Sequence, residues 1–590
     1  MTFLSRITWI LAGCLMFAAT PAVALTPSQT LKQLFDEERA FYWLEDPLTA
    51  TSDGMHAYDD RLPSVAPDAQ ARRLEADRGF LQRLHAIART PLSPQEQVSY
   101  DLFDFMVSQR AALAAHREWR APLNSDSGFH VDVLFMHELA NPRTTTDYER
   151  YIARLKDLPR YFSENIENMR QGMRDGFTLP AEILDGISGV IAGEQFAHVE
   201  DCPLYRPFAN FPSTVPQADR ERLTAAGRAA IEESVLPAYA GFQHFFEREY
   251  RPRARRTIAA SALPDGRAYY RDLVRNYTTL PDATPEQVHE VGLAEVKRIR
   301  GEMGGIIREV GFKGSFAEFL TFLRTDPQFY ASTPEQLLRE AAWISKQIDI
   351  RLPAFFGRLP RTPYGIRAVP EEVAPNYTGG RYNPGPLGGA GEYWVNTYQL
   401  KSRPLYVLPA LTLHEAVPGH HLQGALAREL TDVPTFRLNF YPHAFGEGWG
   451  LYSEKLGEEI GVYHTPYERF GRLTYEMWRA CRLVVDTGMH AKGWTSQQAR
   501  DYLAANTALS EHEIRTEVDR YIAWPGQALA YKTGELKIIE LRHRAEAKLG
   551  PDFDIRAFHD AVLDNGGVTL PVLERQVDAY IAGARKKASN

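Results

Sequence analysis

An apolar run from Leu405 ends in Leu413-His414-Glu415-Ala416-Val417-Pro418-Gly419-His420-His421-Leu422-Gln423, which puts three histidines and a carboxylate within eight positions. No other segment restricts the fold as strongly. The apolar residues bury the stretch, buried histidines and carboxylates need partners, and Pro418-Gly419 interrupts any regular helix through it. His-Glu pairs also occur at His137, His289 and His512. Only His414-Glu415 combines further histidines within two turns with an apolar lead-in.

The donor set suits a zinc hydrolase. Such a site needs two neutral imidazoles, a third ligand, an open position for water and a carboxylate base beside that water. Helical versions space the histidines four apart, with glutamate directly after the first. Here the fourth position is Pro418, and the next histidines would sit about 9 and 10.5 Å further along a regular helix, too far to share an ion. Proline removes a helical hydrogen bond and glycine tolerates unusual dihedrals, so the expectation is a bulged helix. The bulge brings His420 into the second-ligand position. His421 is then an outer partner or substrate-facing, and remains the alternative ligand. Glu415 is the expected general base.

The third ligand is expected on a following helix. Phe445-Gly446-Glu447-Gly448-Trp449-Gly450-Leu451-Tyr452-Ser453-Glu454 carries two glutamates seven apart on one helical face. The glycines around Glu447 allow close backbone approach, which assigns it to the metal. Glu454, two turns on, is placed to hold a ligand histidine by a hydrogen bond. Arg479, Arg482 and His490 are candidates for a substrate carboxylate or for ion pairs in a helical core.

The remainder reads as mainly α. Ser93-Pro94-Gln95-Glu96 is a capping box with proline at the first helical position. Thr146 with Glu149 is expected to open a second helix, restarted at Pro159 and ended by Asp175-Gly176. Thr-Pro-Glu-Gln starts recur at Thr284 and Thr333. Tyr364–Pro370 and Glu392–Tyr398 read as two strands. Between them, Gly379–Gly391 is too broken for a helix. These features predict one large helical domain over 25–590 around a central cleft, with a small β-ribbon at its rim. Two lobes, about 25–355 and 356–590, would put the metal site in the second.

The first 24 residues stand apart. Arg6, the apolar Ile7–Ala19 and the small residues of Ala22-Val23-Ala24 form a signal peptide with cleavage after Ala24. Leu11-Ala12-Gly13-Cys14 also resembles a lipoprotein box, so a periplasmic or secreted product has a lipid-anchored alternative through Cys14. No later apolar run is long enough to span a bilayer. The chain has 590 residues, a net charge of −8 and three cysteines. Those values argue against a basic nucleic-acid binder, a disulfide scaffold and a thiolate metal site. Cys202 and Cys481 are left as a candidate pair after export. Phosphate-loop, G-x-G-x-x-G and G-x-S-x-G motifs are missing from the sequence.

The pattern His414-Glu415-x-x-Pro418-Gly419-His420-His421-x-Gln423, then Glu447-Gly448-Trp449-x-x-Tyr452-x-Glu454, resembles a bacterial family known as domain of unknown function 885. Trp478–Gly488 and Arg520-Tyr521-x-x-x-Pro525-Gly526-Gln527-Ala528-Leu529-x-Tyr531-Lys532-x-Gly534 are similar to it as well. The resemblance implies an exported protein with a helical fold like the oligopeptidase and angiotensin-converting-enzyme-like zinc peptidases. It also implies one zinc ion per chain and a peptide substrate. In those peptidases a late Arg-Tyr pair supplies the tyrosine that stabilises the oxyanion, with a histidine about ten residues earlier. Arg520-Tyr521 and His512 look similar, with Tyr531 as the competitor. The resulting expectation is an exported zinc metallopeptidase. A non-catalytic metal- or peptide-binding protein and a zinc amidase on a non-peptide amide are the alternatives.

Overall fold

Helix-start signals position most of the framework. A computed structural model describes residues 25–588 apart from 126, 372, 373 and 386–388, so the apolar leader, its cleavage site and Cys14 lie outside the described residues. Helix accounts for 72% of the chain and strand for 4%, which fixes the class as mainly α. Helix α1 (Pro94–Ala115) begins at the Ser93–Glu96 capping box. Helix α2 (Thr145–Asp175) begins two residues earlier than the sequence suggested, because Thr144 and Asp147 form the box in place of Thr146 and Glu149. It also runs straight through Pro159. Leu155, Leu158, Tyr161 and Phe162 are all buried around the proline, and that burial outweighs one lost backbone hydrogen bond. Gly176, at φ 74°, ends it. Helix α3 (Pro285–Glu309) starts at Thr284 and a further helix, Pro334–Asp349, at Thr333.

The expected ribbon is a three-stranded sheet. Strands β1 (Tyr364–Ala368) and β3 (Gly391–Val395) pair in parallel, and β2 (Gly380–Asn383) adds antiparallel to β3, giving the order β1-β3-β2. Strand β2 falls in the stretch expected to be loop. Its four residues, flanked by glycine and proline, are too few to display an alternating pattern.

Helices α4 (Leu408–Glu415), α5 (His420–Arg428), α6 (His443–Ile460), α7 (Pro466–Ala491), α8 (Glu511–Ala523) and α9 (Ala530–Leu549) follow. The longest packing seams join α3 to α7 and α6 to α9. One apolar cluster links Leu31, Phe35 and Phe80 with Trp449, Tyr452 and Leu541; another links Tyr151 and Phe162 with Cys481 and Val485. Both clusters therefore draw on early and late parts of the chain. Cys202 and Cys481 are unpaired and buried. Among the described residues, no helix is long and apolar enough to cross a membrane.

Two glycines set the α6–α9 distance. A Cβ at Gly534 would lie 1.7 Å from the Ala444 carbonyl oxygen, and one at Gly448 would lie 2.5 Å from the Gly534 backbone. Backbone cannot rotate aside as a side chain can. Gly534→Ala is therefore expected to destabilise the protein by about 3 kcal/mol, read as a lowered urea midpoint with the m-value unchanged.

Candidate metal centre

Helix α4 is buried along its whole length and stops at Glu415. The expected bulge is a complete break. Ala416 (φ −96°, ψ −108°) leaves the helix, and Gly419 (φ −71°, ψ −130°) caps α5. A Cβ at Gly419 would sit 1.9 Å from the His414 carbonyl oxygen, so the turn folds back onto α4 only because the residue is glycine. Trp449 Nε1 on α6 donates to the Pro418 carbonyl at 2.8 Å and pins the turn. This brings the rings of His414 and His420 to 4.7 Å, nearly perpendicular at 89°.

Helix α6 supplies the carboxylates. Glu447 Oε2 lies 3.5 Å from His414 Nε2 and 3.4 Å from His420 Nε2. Ligand atoms of these three residues all fall within 4.8 Å of one another. Two donors on a tetrahedral ion with bonds of about 2.0–2.1 Å are separated by about 3.3–3.4 Å, so the spacing fits zinc. His414 Nδ1 donates to Glu454 Oε1 at 2.8 Å, which fixes the tautomer with Nε2 free to ligate. Gly450 faces the same ring, and a Cβ there would come within 2.7 Å of it.

Without an ion, the histidines and Glu447 answer one another's charge. Burial alone would lower the His414 pKa, but its hydrogen bonds to Glu447 and Glu454 raise it to about 10. Burial would raise Glu447, yet hydrogen bonds from His414 and His420 hold it well below the ordinary carboxylate range. His421 turns the other way. Its Nε2 contacts the Thr362 carbonyl at 3.1 Å, its Nδ1 contacts the Tyr382 hydroxyl at 3.3 Å, and burial pushes it down to about 4. It packs beside the sheet, outside the ligand group.

A cavity of about 540 Å³ opens onto His414, Glu415, His420 and Glu447. A cavity of about 670 Å³ near Arg110 and Trp119 is larger, but no member of the ligand group lines it; chemistry selects the smaller one. Glu415 Oε2 accepts the Tyr382 backbone N–H of β2 at 2.8 Å, so the sheet does form part of the rim. Arg479, Arg482, Arg520 and Tyr531 line the same space.

Two expected residues do not reach it. The Tyr521 hydroxyl donates to Glu517 at 2.6 Å and accepts from Arg482 Nε at 2.8 Å and Trp478 Nε1 at 3.0 Å. All its hydrogen-bonding capacity is committed beneath the cavity wall. His512 is exposed near the start of α8. His490 is held by Ala260 N and the Tyr521 carbonyl, each at 3.0 Å, in a structural role. The sequence reading missed Tyr382, Tyr441 and His443. Tyr441 and His443 line the cavity just upstream of Glu447, and a search one turn before the third ligand would have found them. Tyr382 acts through a backbone N–H, which no residue type announces.

No curated protein matches the chain. A crystal structure provisionally described as a lipoprotein from Colwellia psychrerythraea is 28% identical and covers 95% of this chain and 100% of its own, with a TM-score of 0.87. A protein from Shewanella oneidensis, provisionally described as a lipoprotein of unknown function, shares the fold at 19% identity, with 94% and 99% coverage and a TM-score of 0.70. The motifs around the two-histidine, two-glutamate cluster are thus carried on a fold that both of these proteins share. With a match over residues 47–577, the chain belongs to the family described as bacterial protein of unknown function (DUF885).

Proposed function

We propose that the protein is an exported zinc-dependent metallopeptidase that hydrolyses peptide bonds of oligopeptides, with one zinc ion per chain. The observation that carries this reading is the convergence of His414, His420 and Glu447 beside a non-ligand carboxylate, Glu415, on one cavity. The export part rests on the apolar leader and small-residue cleavage site. The likeness of the motifs to oligopeptidase and converting-enzyme-like zinc peptidases supports the reaction class.

When bound, zinc supplies Lewis acidity, lowering the pKa of water and polarising a carbonyl. The protein's own groups carry the proton and the charge. Glu415, oriented by the Tyr382 N–H, accepts the proton of the attacking water and returns it to the leaving nitrogen. Tyr531 is the donor to the developing oxyanion. Burial and Glu447 push its phenol up, but Arg520, Arg482 and a hydrogen bond with Gln527 together hold it below the ordinary phenol value. A more acidic phenol is a stronger hydrogen-bond donor to that oxyanion.

The test pairs metal analysis with turnover. Purified mature protein is expected to hold one zinc per chain and to cleave an oligopeptide mixture, and to lose both on chelation. Tyr531→Phe should lower kcat by about 100-fold with little change in KM. Tyr521→Phe should act mainly through stability. Protein that takes up no zinc at neutral pH would remove the proposal.

A further inference from the structure

Arg479 and Arg482 sit one turn apart on α7 and line the cavity that holds the metal group. They are only 5% and 1% exposed. A buried guanidinium is costly unless an anion answers it. Arg482 has its anion, Glu517, at 2.8 Å. Glu517 also lies 3.5 Å from Arg520 Nη1, so one carboxylate serves two cations. Arg479 has none. Its nearest carboxylate oxygen, Glu454 Oε1, is 3.8 Å away and already accepts from His414 Nδ1 at 2.8 Å. Its one hydrogen bond is long, 3.4 Å to the Tyr475 carbonyl, and its Nε has no partner. The rings of Trp478 and Tyr475, at 4.3 and 4.7 Å, hold the group in place by cation–π contact. Three guanidinium groups on this wall, Arg479, Arg482 and Arg520, thus face two carboxylates, Glu517 and Glu454, and the wall is short of negative charge by about one unit.

We propose that Arg479, backed by Arg482 and Arg520, binds the free α-carboxylate of a peptide, so that the protein acts on peptide C-termini. Arg479 is separated from His414 only by Glu454, which puts the bound carboxylate one or two residues, at about 3.5 Å each, from a bond lying over the ligand group. The guanidinium fork matches a carboxylate, and every linear peptide offers one whatever its sequence. The position of the cleaved bond rests on the peptidase reading; the carboxylate subsite does not.

Calorimetry on full-length mature Glu415→Gln protein, loaded with zinc, separates the two. Tetra-alanine is expected to bind about 100-fold more tightly than tetra-alanine amide. Arg479→Gln should collapse that ratio to near 1, and Arg479→Lys should restore part of it by returning the charge without the fork. The amide of trialanyl-glutamate should bind like the other amide. Equal binding of acid and amide, or a ratio that survives Arg479→Gln, overturns the subsite. Tight binding of the glutamate amide overturns its assignment to the chain terminus. Hydrolysis of both forms by wild type at equal kcat/KM would sink the inference and leave the peptidase standing. Selective binding of the acid with no hydrolysis by wild type would do the reverse.

Discussion

Replacing Glu415 by glutamine should reduce peptide hydrolysis by about 10³- to 10⁴-fold while zinc content stays at the wild-type level. The residue stands beside the ligand group and outside it: His414, His420 and Glu447 provide the clustered donor atoms. Glu415 instead accepts the Tyr382 N–H through Oε2. Glutamine keeps the shape and can accept that same hydrogen bond through its carbonyl oxygen, but it cannot take a proton from water at neutral pH. Binding and geometry are preserved, and only proton transfer is lost. The measurement is metal content by mass spectrometry beside single-substrate kinetics on the same samples. A binding protein would be indifferent to this change, so undiminished hydrolysis in the variant would remove Glu415 from the mechanism.

His420→Ala and His421→Ala should differ more sharply than two neighbouring histidines usually do. On the proposed reading, the first removes one of three zinc ligands. With structural zinc sites worth about 10 kcal/mol or more, losing a third of that lowers affinity by about 10²- to 10³-fold. The second removes contacts to the Thr362 carbonyl and the Tyr382 hydroxyl. That loosens the sheet against α5 and leaves the donors in place. Competition for zinc against a chromophoric chelator distinguishes them. Zinc lost from His421→Ala and retained in His420→Ala would reverse the ligand assignment.

What could be read from the sequence was chiefly local chemistry. Capping boxes at Ser93 and Thr284 announced their helices because a cap is satisfied within four residues. The one-face placement of Glu447 and Glu454 followed from helical geometry, and the hydrogen bond from His414 to Glu454 lies where that spacing put it. Features decided by distant partners were not legible. The break after Glu415 is held by Trp449, 31 residues beyond Pro418, so Pro418-Gly419 could signal a disruption without fixing its shape. Tyr521 and Tyr531 look equivalent in sequence. They separate only because Trp478, Arg482 and Glu517 consume the first hydroxyl. Three consecutive threonines left the start of α2 open by two residues, and tertiary burial carried that helix past Pro159.

Three hydrogen bonds that shape the centre are internal to the polypeptide: Trp449 to Pro418, His414 to Glu454, and Tyr382 to Glu415. None of them needs an ion to form. On the proposed zinc reading, folding and loading should then be separable events, unlike the coupled folding of small zinc domains. On that reading, a chain exported into zinc-poor surroundings would mature fully and become competent when the metal supply rises. Its activity would follow the zinc of its environment reversibly, while the amount of folded protein stayed constant.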